Sequence, residues 1–411
     1  MPADDASAVH LEYSTNAVTT QVRNIRSIPM RYRSLGRSGL TMSEIALGCE
    51  GLLGKPEAFV RSALDMMESH GANGIDLYSP NPELRTALGR ALSGRREKFV
   101  LEAHICTIWK DGQYKRTRRM DEVRAGFDDQ LARLGTDYLD IGMVHYVDSM
   151  DDWRAVADGE VLRYALELKK TGTVRAVGLS SHNPEVALAA VNGGAIDVLL
   201  FSVNPCYDLQ PADEDVEQLW NREKYKGNLL NMDPKRQALY ETCQRLGVGI
   251  TVMKAFGGGD LLHADRSLAG VALTPYQCIS YALDRPGVAS VFTGAHSLDE
   301  LKVNLGYADA PEEEKDYAAA LASFPRMSWK GHCMYCGHCA PCPSGIDVAS
   351  VTKLLHLGLA QGTVPETVRE HYASLEHKAG ECMRCGSCEK RCPFEVEAMR
   401  NMEHAARVFG A

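Results

Sequence analysis

The chain has 411 residues, of which 45% are hydrophobic and 24% are charged, and its formal net charge is −9. This length exceeds one comfortable hydrophobic core, and the acidic balance argues against a nucleic-acid partner, which would need clustered Lys and Arg. The sequence contains neither an apolar run of the ~20 residues that span a membrane nor a signal-peptide pattern. We therefore expect a cytoplasmic protein of at least two domains, without a membrane partner.

Residues 1–29 are polar and aperiodic, which predicts a flexible N-terminal extension. From Met30 onward, short apolar runs alternate with amphipathic helical stretches, the pattern of parallel βα units. The candidate strands are Glu44–Leu47, Gly74–Leu77, Phe99–Ala103, Leu139–Val144, Arg175–Leu179, Val198–Val203, Ile250–Lys254 and Ala289–Thr293. Eight such units predict an α/β fold, a (β/α)8 TIM barrel over residues 30–325, with its chemistry at the carboxyl ends of the strands.

Side chains that can carry chemistry are concentrated at these predicted strand ends. Asp76 and Tyr78 end the second strand, His104 follows the third, His145 the fourth and His182 the fifth. A packed barrel interior would tolerate few such groups, so their convergence on one rim favours a functional site.

Several features near this rim leave more than one interpretation open. Glu50, beside Cys49, could bind a polyhydroxylated or cationic substrate or cap a loop. The long connection Tyr207–Asp233 carries Trp220 and Tyr225 and is predicted to form a substrate lid. The basic cluster Lys115–Arg119 is predicted to solvate a loop and a helix start. A metal ion in the barrel mouth is an alternative without support from local spacing; its ligands would be His104, Cys106, His145, His182 and Cys206.

A set of short motifs runs through the same region. They are MRYRSLGRSGL from Met30, GANGID ending at Asp76, REK at Arg96–Lys98, DYLD leading to His145, VGLS ending at Ser180, and the stretch Gly294–Asn304. In this combination the chain resembles the aldo-keto reductases over Met30–Ala310. The resemblance implies an oxidoreductase with NADP(H) or NAD(H) lying extended across the barrel mouth.

Carried over by position, the resemblance assigns residues to each part of that cofactor. Ser180 and Ser181 would face the nicotinamide carboxamide, and the segment from Lys254 through Phe256, Gly257, Gly258 and Gly259 would wrap the pyrophosphate, where glycine permits close approach. The adenosine end would be held by Gly294, His296, Ser297, Glu300 and Asn304.

The catalytic residues of the family are only half present. Its chemistry uses an aspartate, a tyrosine as proton donor, a lysine and a histidine; Asp76 and His145 match, whereas Asn81 stands in the tyrosine's place and His104 in the lysine's. Asparagine cannot release a proton near neutral pH, so the usual mechanism cannot run unchanged. Either Tyr78 swings into the donor position, or His104, paired with Asp76, is the acid–base group; we favour the second.

Eight of the thirteen cysteines lie between residues 333 and 392, in two runs that each end in Cys-Pro. The second run has the spacing of bacterial ferredoxins, in which the fourth cysteine ligates the other cluster. We therefore expect two [4Fe–4S] clusters with crosswise ligands, one held by Cys333, Cys336, Cys339 and Cys392, the other by Cys382, Cys385, Cys388 and Cys342. A pair of zinc sites is the alternative.

Between the two runs, helical patterns at Ala349–Ala360 and Val364–Leu375 predict an α-helical ferredoxin-like domain over residues 326–411. This tail resembles the ferredoxin-bearing branch of the same family. Three functions follow as expectations. In the first, the clusters are structural and the barrel transfers hydride to a small polar or aromatic carbonyl compound. In the second, a ferredoxin or flavodoxin feeds electrons through the clusters to a substrate or a flavin. The third, a non-catalytic electron-transfer module, is disfavoured by the polar rim.

Overall fold

The structure is a computed structural model that describes residues 30–215, 218–219, 221, 229–268, 270–322, 327–328, 331–359 and 364–410. The predicted extension 1–29, the lid residues Trp220 and Tyr225, and the predicted domain boundary at 325/326 lie outside the described residues.

Eight parallel strands close into a barrel, as the sequence predicts. Their bounds are Ile45–Gly48, Gly74–Leu77, Val100–Ile105, Leu139–Val144, Val174–Ser181, Val198–Ser202, Gly249–Met253 and Val288–Gly294. Each strand pairs with the next in the chain, and the eighth closes on the first with Val291 opposite Ile45. The barrel strands are therefore all parallel, and their carboxyl ends meet on one rim.

Helices surround the barrel in sequence order. They are Glu57–Ser69, Pro82–Leu92, Met120–Leu134, Met150–Asp158, Glu160–Thr171, Pro184–Asn192, Pro234–Leu246, Pro275–Leu283 and Leu298–Leu305, followed by the short helices Glu312–Lys315 and Ala318–Ala322. Four of them begin with proline directly after a capping residue (Asn81, Asn183, Asp233 or Thr274). Proline fits there because the first helical N–H has no partner within the helix.

A β-hairpin that the sequence interpretation did not include follows the third barrel strand. Thr107–Lys110 pairs antiparallel with Gln113–Arg116 across Asp111-Gly112, whose φ angles are 53° and 74°. A two-residue turn with both φ values positive matches the twist of the strands, and the Asp-Gly pair is typical of it. The hairpin projects from the rim and extends the wall of the barrel mouth.

The amino-terminal end of the barrel is covered by a second hairpin, Tyr32–Ser34 with Thr41–Ser43, and by a plug of apolar side chains. A third two-stranded pairing joins Leu229–Leu230 to Met327–Ser328. Because the amino-terminal end is covered, the barrel mouth lies at the opposite, carboxyl-terminal rim.

The cysteine-rich region is helical, as predicted, with helices Val348–Leu359, Glu366–Ser374, Ser387–Arg391 and Ala398–Phe409. It packs on the outer wall of the barrel. The buried Arg285, which follows Pro275–Leu283, donates from Nη2 to the Met334 carbonyl at 2.6 Å, and Tyr317 donates to the same oxygen at 2.9 Å. In the described part of the chain, no helix is long and apolar enough to cross a membrane.

Candidate active site

A cavity of about 960 Å³ opens at the carboxyl ends of the barrel strands. Every catalytic candidate lines it: Asp76, Tyr78, His104 and His145. Asn81 lines it as well. The cavity also receives two aromatic residues of the unpredicted hairpin, Trp109 and Tyr114. The catalytic candidates that the sequence motifs identify thus lie together in one cavity of the tertiary structure.

The central feature of the cavity is a continuous hydrogen-bonded chain of four side chains. Asp76 Oδ1 lies 3.0 Å from His104 Nε2, and His104 Nδ1 lies 2.6 Å from His145 Nδ1. The other ring nitrogen of His145, Nε2, lies 2.7 Å from the Tyr114 hydroxyl. With Asp76 ionised, each group can donate to the next in the direction from Tyr114 to Asp76. The chain links a buried carboxylate to a phenol at the cavity wall.

Burial controls the protonation of the two groups nearest the cavity. It holds the pKa of His145 well below its usual value, helped by the nearby His104 and Arg118. Burial also raises the pKa of Tyr114 to about 12. Near neutral pH, His145 is therefore a neutral acceptor and Tyr114 a neutral donor.

The hairpin and its basic residues hold this chain in place. Arg118 donates from Nη1 to the His145 carbonyl at 2.8 Å and pairs through Nη2 with Asp152 at 2.8 Å, while Arg116 lies over the Tyr146 ring at 4.5 Å. The basic cluster Lys115–Arg119 is thus used in internal ion pairs and a ring contact, beside the start of the helix Met120–Leu134, as well as in solvation.

Asn81, which stands in the tyrosine's place of the family motif, and Tyr78, the first candidate proton donor, have different partners in the cavity. Asn81 caps the helix Pro82–Leu92 by accepting from the Leu84 amide at 2.9 Å. The Tyr78 ring is stacked parallel to His145 at 6.2 Å, and its hydroxyl donates to Glu50 Oε1 at 3.3 Å. Burial and the Glu50 carboxylate raise the pKa of Tyr78. Glu50 therefore orients an aromatic side chain of the cavity.

The cofactor candidates divide into those that line the cavity and those that do not. Lining residues are Ser180, Lys254, Phe256, Gly258, Gly259, Gly294, His296 and Glu300. The Ser181 hydroxyl instead donates to Asp148 at 3.1 Å, and Ser297 caps the helix Leu298–Leu305. Asn304 donates to the Gly294 carbonyl at 3.1 Å, and Gly257 is buried next to Leu261. These four residues support the cavity wall from behind.

The loop after the seventh strand has the backbone freedom that close approach to a ligand requires. Gly258 and Gly259 have φ values of 70° and 94°, and nothing lies within 4 Å of where a Cβ would stand. Lys254, at the start of this loop, is largely buried, and burial lowers its pKa to about 8. The same loop brings His263 and Arg266 to the lining of the cavity, which His296 and Glu300 also line.

The five residues of the alternative metal site do not form one cluster. His182 Nδ1 pairs with Asp148 Oδ2 at 2.9 Å, and the Cys106 side chain is hydrogen-bonded to the Arg118 side chain. Within the described residues, the group whose ligand atoms lie within 4.8 Å of one another is Asp76, Glu102 and His104. That alternative is therefore wrong in its choice of residues.

The predicted lid Tyr207–Asp233 lies only partly within the described residues. In its described part, no residue lines the cavity, and Tyr207 and Asp208 are buried in the barrel wall. The hairpin Thr107–Arg116 occupies the edge of the mouth, with Trp109 40% exposed. The loop after the third strand therefore contributes to the wall of the cavity.

The eight clustered cysteines line two adjacent cavities. One is lined by Cys333, Cys336, Cys339 and Cys392, with Cys388 at its edge; the other is lined by Cys342, Cys382, Cys385 and Cys388. Cys333 and Cys336 pack against the barrel core, whereas Cys385 is exposed. We call these the inner and the outer cysteine cavity. Thiols and apolar side chains are the surroundings that an iron–sulfur cluster requires.

Sequence reasoning missed Tyr114, Trp109, Glu102 and Arg266. The Asp111-Gly112 pair between alternating residues was an available hairpin signal for the first two. Glu102 lies two residues before His104 and therefore on the same face of the strand, which the period-2 rule would have shown. Arg266 had no local signal, because only the loop path brings it to the cavity.

Comparisons with known proteins agree with this architecture. Residues 44–272 match the aldo/keto reductase family, and residues 332–397 match a 4Fe-4S dicluster domain. The uncharacterized oxidoreductase YqkF of Bacillus subtilis is 28% identical over 322 residues, covering 74% of this chain and 99% of that protein. The NADH-specific methylglyoxal reductase of Escherichia coli is 24% identical over 191 residues, covering 41% and 58%.

A solved structure, aldo-keto reductase AKR11C1 from Bacillus halodurans in its holo form, superimposes with a TM-score of 0.54 at 23% identity, covering 70% of this chain and 95% of that one. This similarity concerns the fold alone. Because the family match covers more than half of the chain, the protein belongs to the aldo/keto reductase family and is an oxidoreductase with a C-terminal 4Fe-4S dicluster domain.

Proposed function

We propose that the barrel reduces a small hydroxylated carbonyl compound with a nicotinamide cofactor, and that Tyr114 donates the proton. The observation that carries this proposal is the unbroken chain from Asp76 through His104 and His145 to the Tyr114 hydroxyl at the cavity wall. A phenol backed by an imidazole can serve as a general acid. Such a chain replaces the family's tyrosine and lysine with residues from a different loop.

In this proposal, His104 relays protons and is not the terminal donor. Both of its ring nitrogens are occupied, Nε2 by Asp76 and Nδ1 by His145. Tyr114 is the member of the chain that has a free side toward the cavity. When His145 Nε2 carries the hydrogen of the bond between them, the Tyr114 proton is free to meet a substrate oxygen and the relay behind it stays intact.

The residues that line the cavity fit a nicotinamide dinucleotide. Gly258 and Gly259 give backbone N–H groups close access to a pyrophosphate, and Lys254 adds positive charge beside them. Ser180 offers a buried hydroxyl that has no hydrogen-bond partner among the described residues, and it is suited to the carboxamide. When bound, this cofactor would supply a hydride to the carbonyl carbon. The residues of the protein itself orient the substrate and move the proton.

Arg266 and His263 favour a cofactor with a 2′-phosphate, because they add a guanidinium and an imidazole to the cavity that His296 and Glu300 also line. We expect Arg266→Ala to raise the KM for NADPH about tenfold or more while leaving the KM for NADH nearly unchanged. Arg119→Ala is the control, since Arg119 is exposed and pairs with Asp121 outside the cavity. Equal effects of Arg266→Ala on both cofactors would contradict this role.

Aromatic and carboxylate groups around the cavity favour a polar substrate. Trp109, Tyr114 and Tyr146 provide flat apolar surfaces, and Glu50 provides an acceptor for hydroxyl groups. One relative is named as a methylglyoxal reductase, so methylglyoxal and glyceraldehyde are suitable probes. The test is oxidation of NADPH by the anaerobically purified protein with each probe. Failure with every small hydroxylated or dicarbonyl compound would contradict the substrate class.

The hydrogen-bonded chain from Asp76 to Tyr114 also predicts how kcat depends on pH. Because His145 stays neutral well below its usual pKa of 6.5, kcat should be constant from pH 8 to about 6.5 and fall only in more acidic solution, when His145 binds a proton. Arg118→Met removes a nearby cation and should move this acidic limb to higher pH. An acidic limb that is centred at pH 6.5 and that Arg118→Met does not move would argue against His145 as a member of the relay.

We also propose that the inner cysteine cavity holds one [4Fe–4S] cluster and the outer cavity the other. This crosswise assignment gives each cluster one cysteine from the other run, Cys392 and Cys342 respectively. We expect Cys392→Ala to reduce bound iron by about one cluster and to alter the electron paramagnetic resonance signal of the buried inner cluster. Cys342→Ala is the matched variant and should alter the outer one. Loss confined to the outer cluster in Cys392→Ala would refute the assignment.

A second candidate function is supported by the difference between the two cavities. Met383 is 62% exposed and Cys385 is exposed, so an outer cluster would be accessible to a ferredoxin or flavodoxin. Electrons entering there would reach the barrel wall through the inner cluster. The test is anaerobic: bleaching of cluster absorbance by reduced ferredoxin supports entry at this surface. Clusters that neither ferredoxin nor NADPH bleaches would support a structural role.

A further inference from the structure

The barrel interior contains one carboxyl group that the proposed mechanism has not used. Glu102 lies on the third strand, in register with Asp76 on the second, and is 0% exposed. Thr251 on the seventh strand lies across the barrel, and its hydroxyl lies 3.2 Å from Glu102 Oε2. The ligand atoms of Asp76, Glu102 and His104 all lie within 4.8 Å of one another. A second carboxyl group therefore stands directly behind the catalytic chain.

The surroundings of Glu102 are defined by the strands that enclose it. Asp76 and His104 are the titratable groups that face it, from the second and third strands, and Cys49 at the end of the first strand faces Asp76 in turn. The seventh strand contributes the uncharged Thr251 hydroxyl. Apolar side chains complete the interior: Ala46, Met143, Ala176 and Leu200. Two carboxyl groups thus share an interior in which their near neighbours carry no fixed positive charge.

Two adjacent carboxyl groups in an apolar interior cannot both be ionised at low cost. Burial and the Asp76 carboxylate raise the pKa of Glu102 well above its usual value. Asp76 Oδ1 lies 3.0 Å from His104 Nε2, whereas Glu102 contacts the uncharged Thr251 hydroxyl, so the member of the pair that holds the proton is Glu102. A proton is then stored at the closed end of the chain.

We propose that Glu102 holds the proton that replaces the one given by Tyr114 to the substrate, acting through Asp76 and His104 as a positioning residue. This inference rests on the proposed reductase function. The reason is the direction of the hydrogen bonds. They can all point toward Asp76, or all toward Tyr114, and only the second arrangement frees the phenol hydrogen for a substrate. The second arrangement needs a protonated carboxyl group beside His104.

The steps balance over a turnover that takes one proton from water. The Tyr114 O–H bond breaks and an O–H bond forms on the substrate oxygen. The phenolate takes a proton from His145 Nε2, His145 Nδ1 takes one from His104 Nδ1, and His104 Nε2 takes one from Asp76, which Glu102 supplies. The O–H bond of Glu102 is the one finally lost, and the pair is left doubly ionised, a state that its burial disfavours. After product release, a proton from water therefore returns along the same atoms in reverse and restores Glu102.

The first test needs no substrate. Infrared spectra of the full-length holoprotein at pH 7 to 8 should contain the carbonyl band of a protonated carboxyl group that Glu102→Gln lacks. Glu241→Gln is the matched control, because Glu241 is a partly buried glutamate on the helix Pro234–Leu246, outside the barrel interior, with a raised pKa. Thr251→Val should shift the Glu102 band without removing it, which covers the case that Glu102→Gln does not fold. An unchanged spectrum in both barrel variants would overturn the stored proton.

The second test follows one turnover of methylglyoxal with NADPH in weakly buffered solution containing a pH indicator. In the wild type, uptake of a proton from water should lag behind NADPH oxidation. In Glu102→Gln the two should coincide, with turnover at least about tenfold slower. Coincident uptake in the wild type, or a divalent cation that only the wild type binds stoichiometrically, would overturn the inference. Absence of any wild-type turnover would instead overturn the proposed function, while the infrared test still reports on Glu102.

Discussion

Replacement of Tyr114 by phenylalanine is expected to lower kcat by about 10²- to 10⁴-fold, the usual contribution of a positioned general acid. The substitution removes only the hydroxyl, which lies 2.7 Å from His145 Nε2, and keeps the ring that lines the cavity. The KM should therefore change little. The measurement is steady-state oxidation of NADPH by the anaerobic holoprotein, with the best probe from the carbonyl panel.

Tyr78→Phe is the matched control for this experiment, because it removes a hydroxyl from a second tyrosine of the same cavity. That hydroxyl contacts Glu50 and not the relay. We expect Tyr78→Phe to retain most of the activity. If Tyr78→Phe were the more damaging change, Tyr78 would be the proton donor and Tyr114 only part of the wall.

Replacement of His104 by alanine should abolish turnover, because it separates Asp76 from His145 and leaves the relay without its middle member. It should also destabilise the fold. Two buried groups lose a hydrogen-bond partner, at a cost of about 1–3 kcal/mol each in the free energy of unfolding. The measurements are kcat and the midpoint of chemical unfolding.

His104→Gln separates the two effects of that change. Glutamine can donate to Asp76 and accept from His145, yet it cannot pass a proton between them. We therefore expect stability close to that of the wild type together with turnover as low as that of His104→Ala. Substantial activity in His104→Gln would show that His104 only supports the site, and that the proton reaches Tyr114 from elsewhere.

The cysteine cavities and the proton relay lie in different parts of the molecule. The inner cysteine cavity packs through Met334 on Arg285 and Tyr317, at the outer wall of the barrel, while the relay opens on the rim. The proton chain and the cysteine cavities are therefore separate structures. Each can be disabled by substitution without touching the other, so Tyr114→Phe should leave iron content unchanged.

The sequence by itself determined the barrel, its eight strands and the helical cysteine region, because those features depend on local periodicity and on fixed cysteine spacing. It also predicted the departure at Asn81 and His104, since a position in a motif can be counted along the chain. Asp76, His104 and His145 could be brought to one rim by the rule that parallel strands end together.

Only the tertiary structure decided which group completes the site. Tyr114 reaches His145 because a hairpin folds back over the rim, and Arg266 reaches the cavity because it follows the glycine-rich loop after the seventh strand. Glu102 contacts Thr251, which is 149 residues away in the chain, across the barrel interior. Contacts of this kind depend on the paths of loops and the closure of the barrel, which no local pattern of residues records.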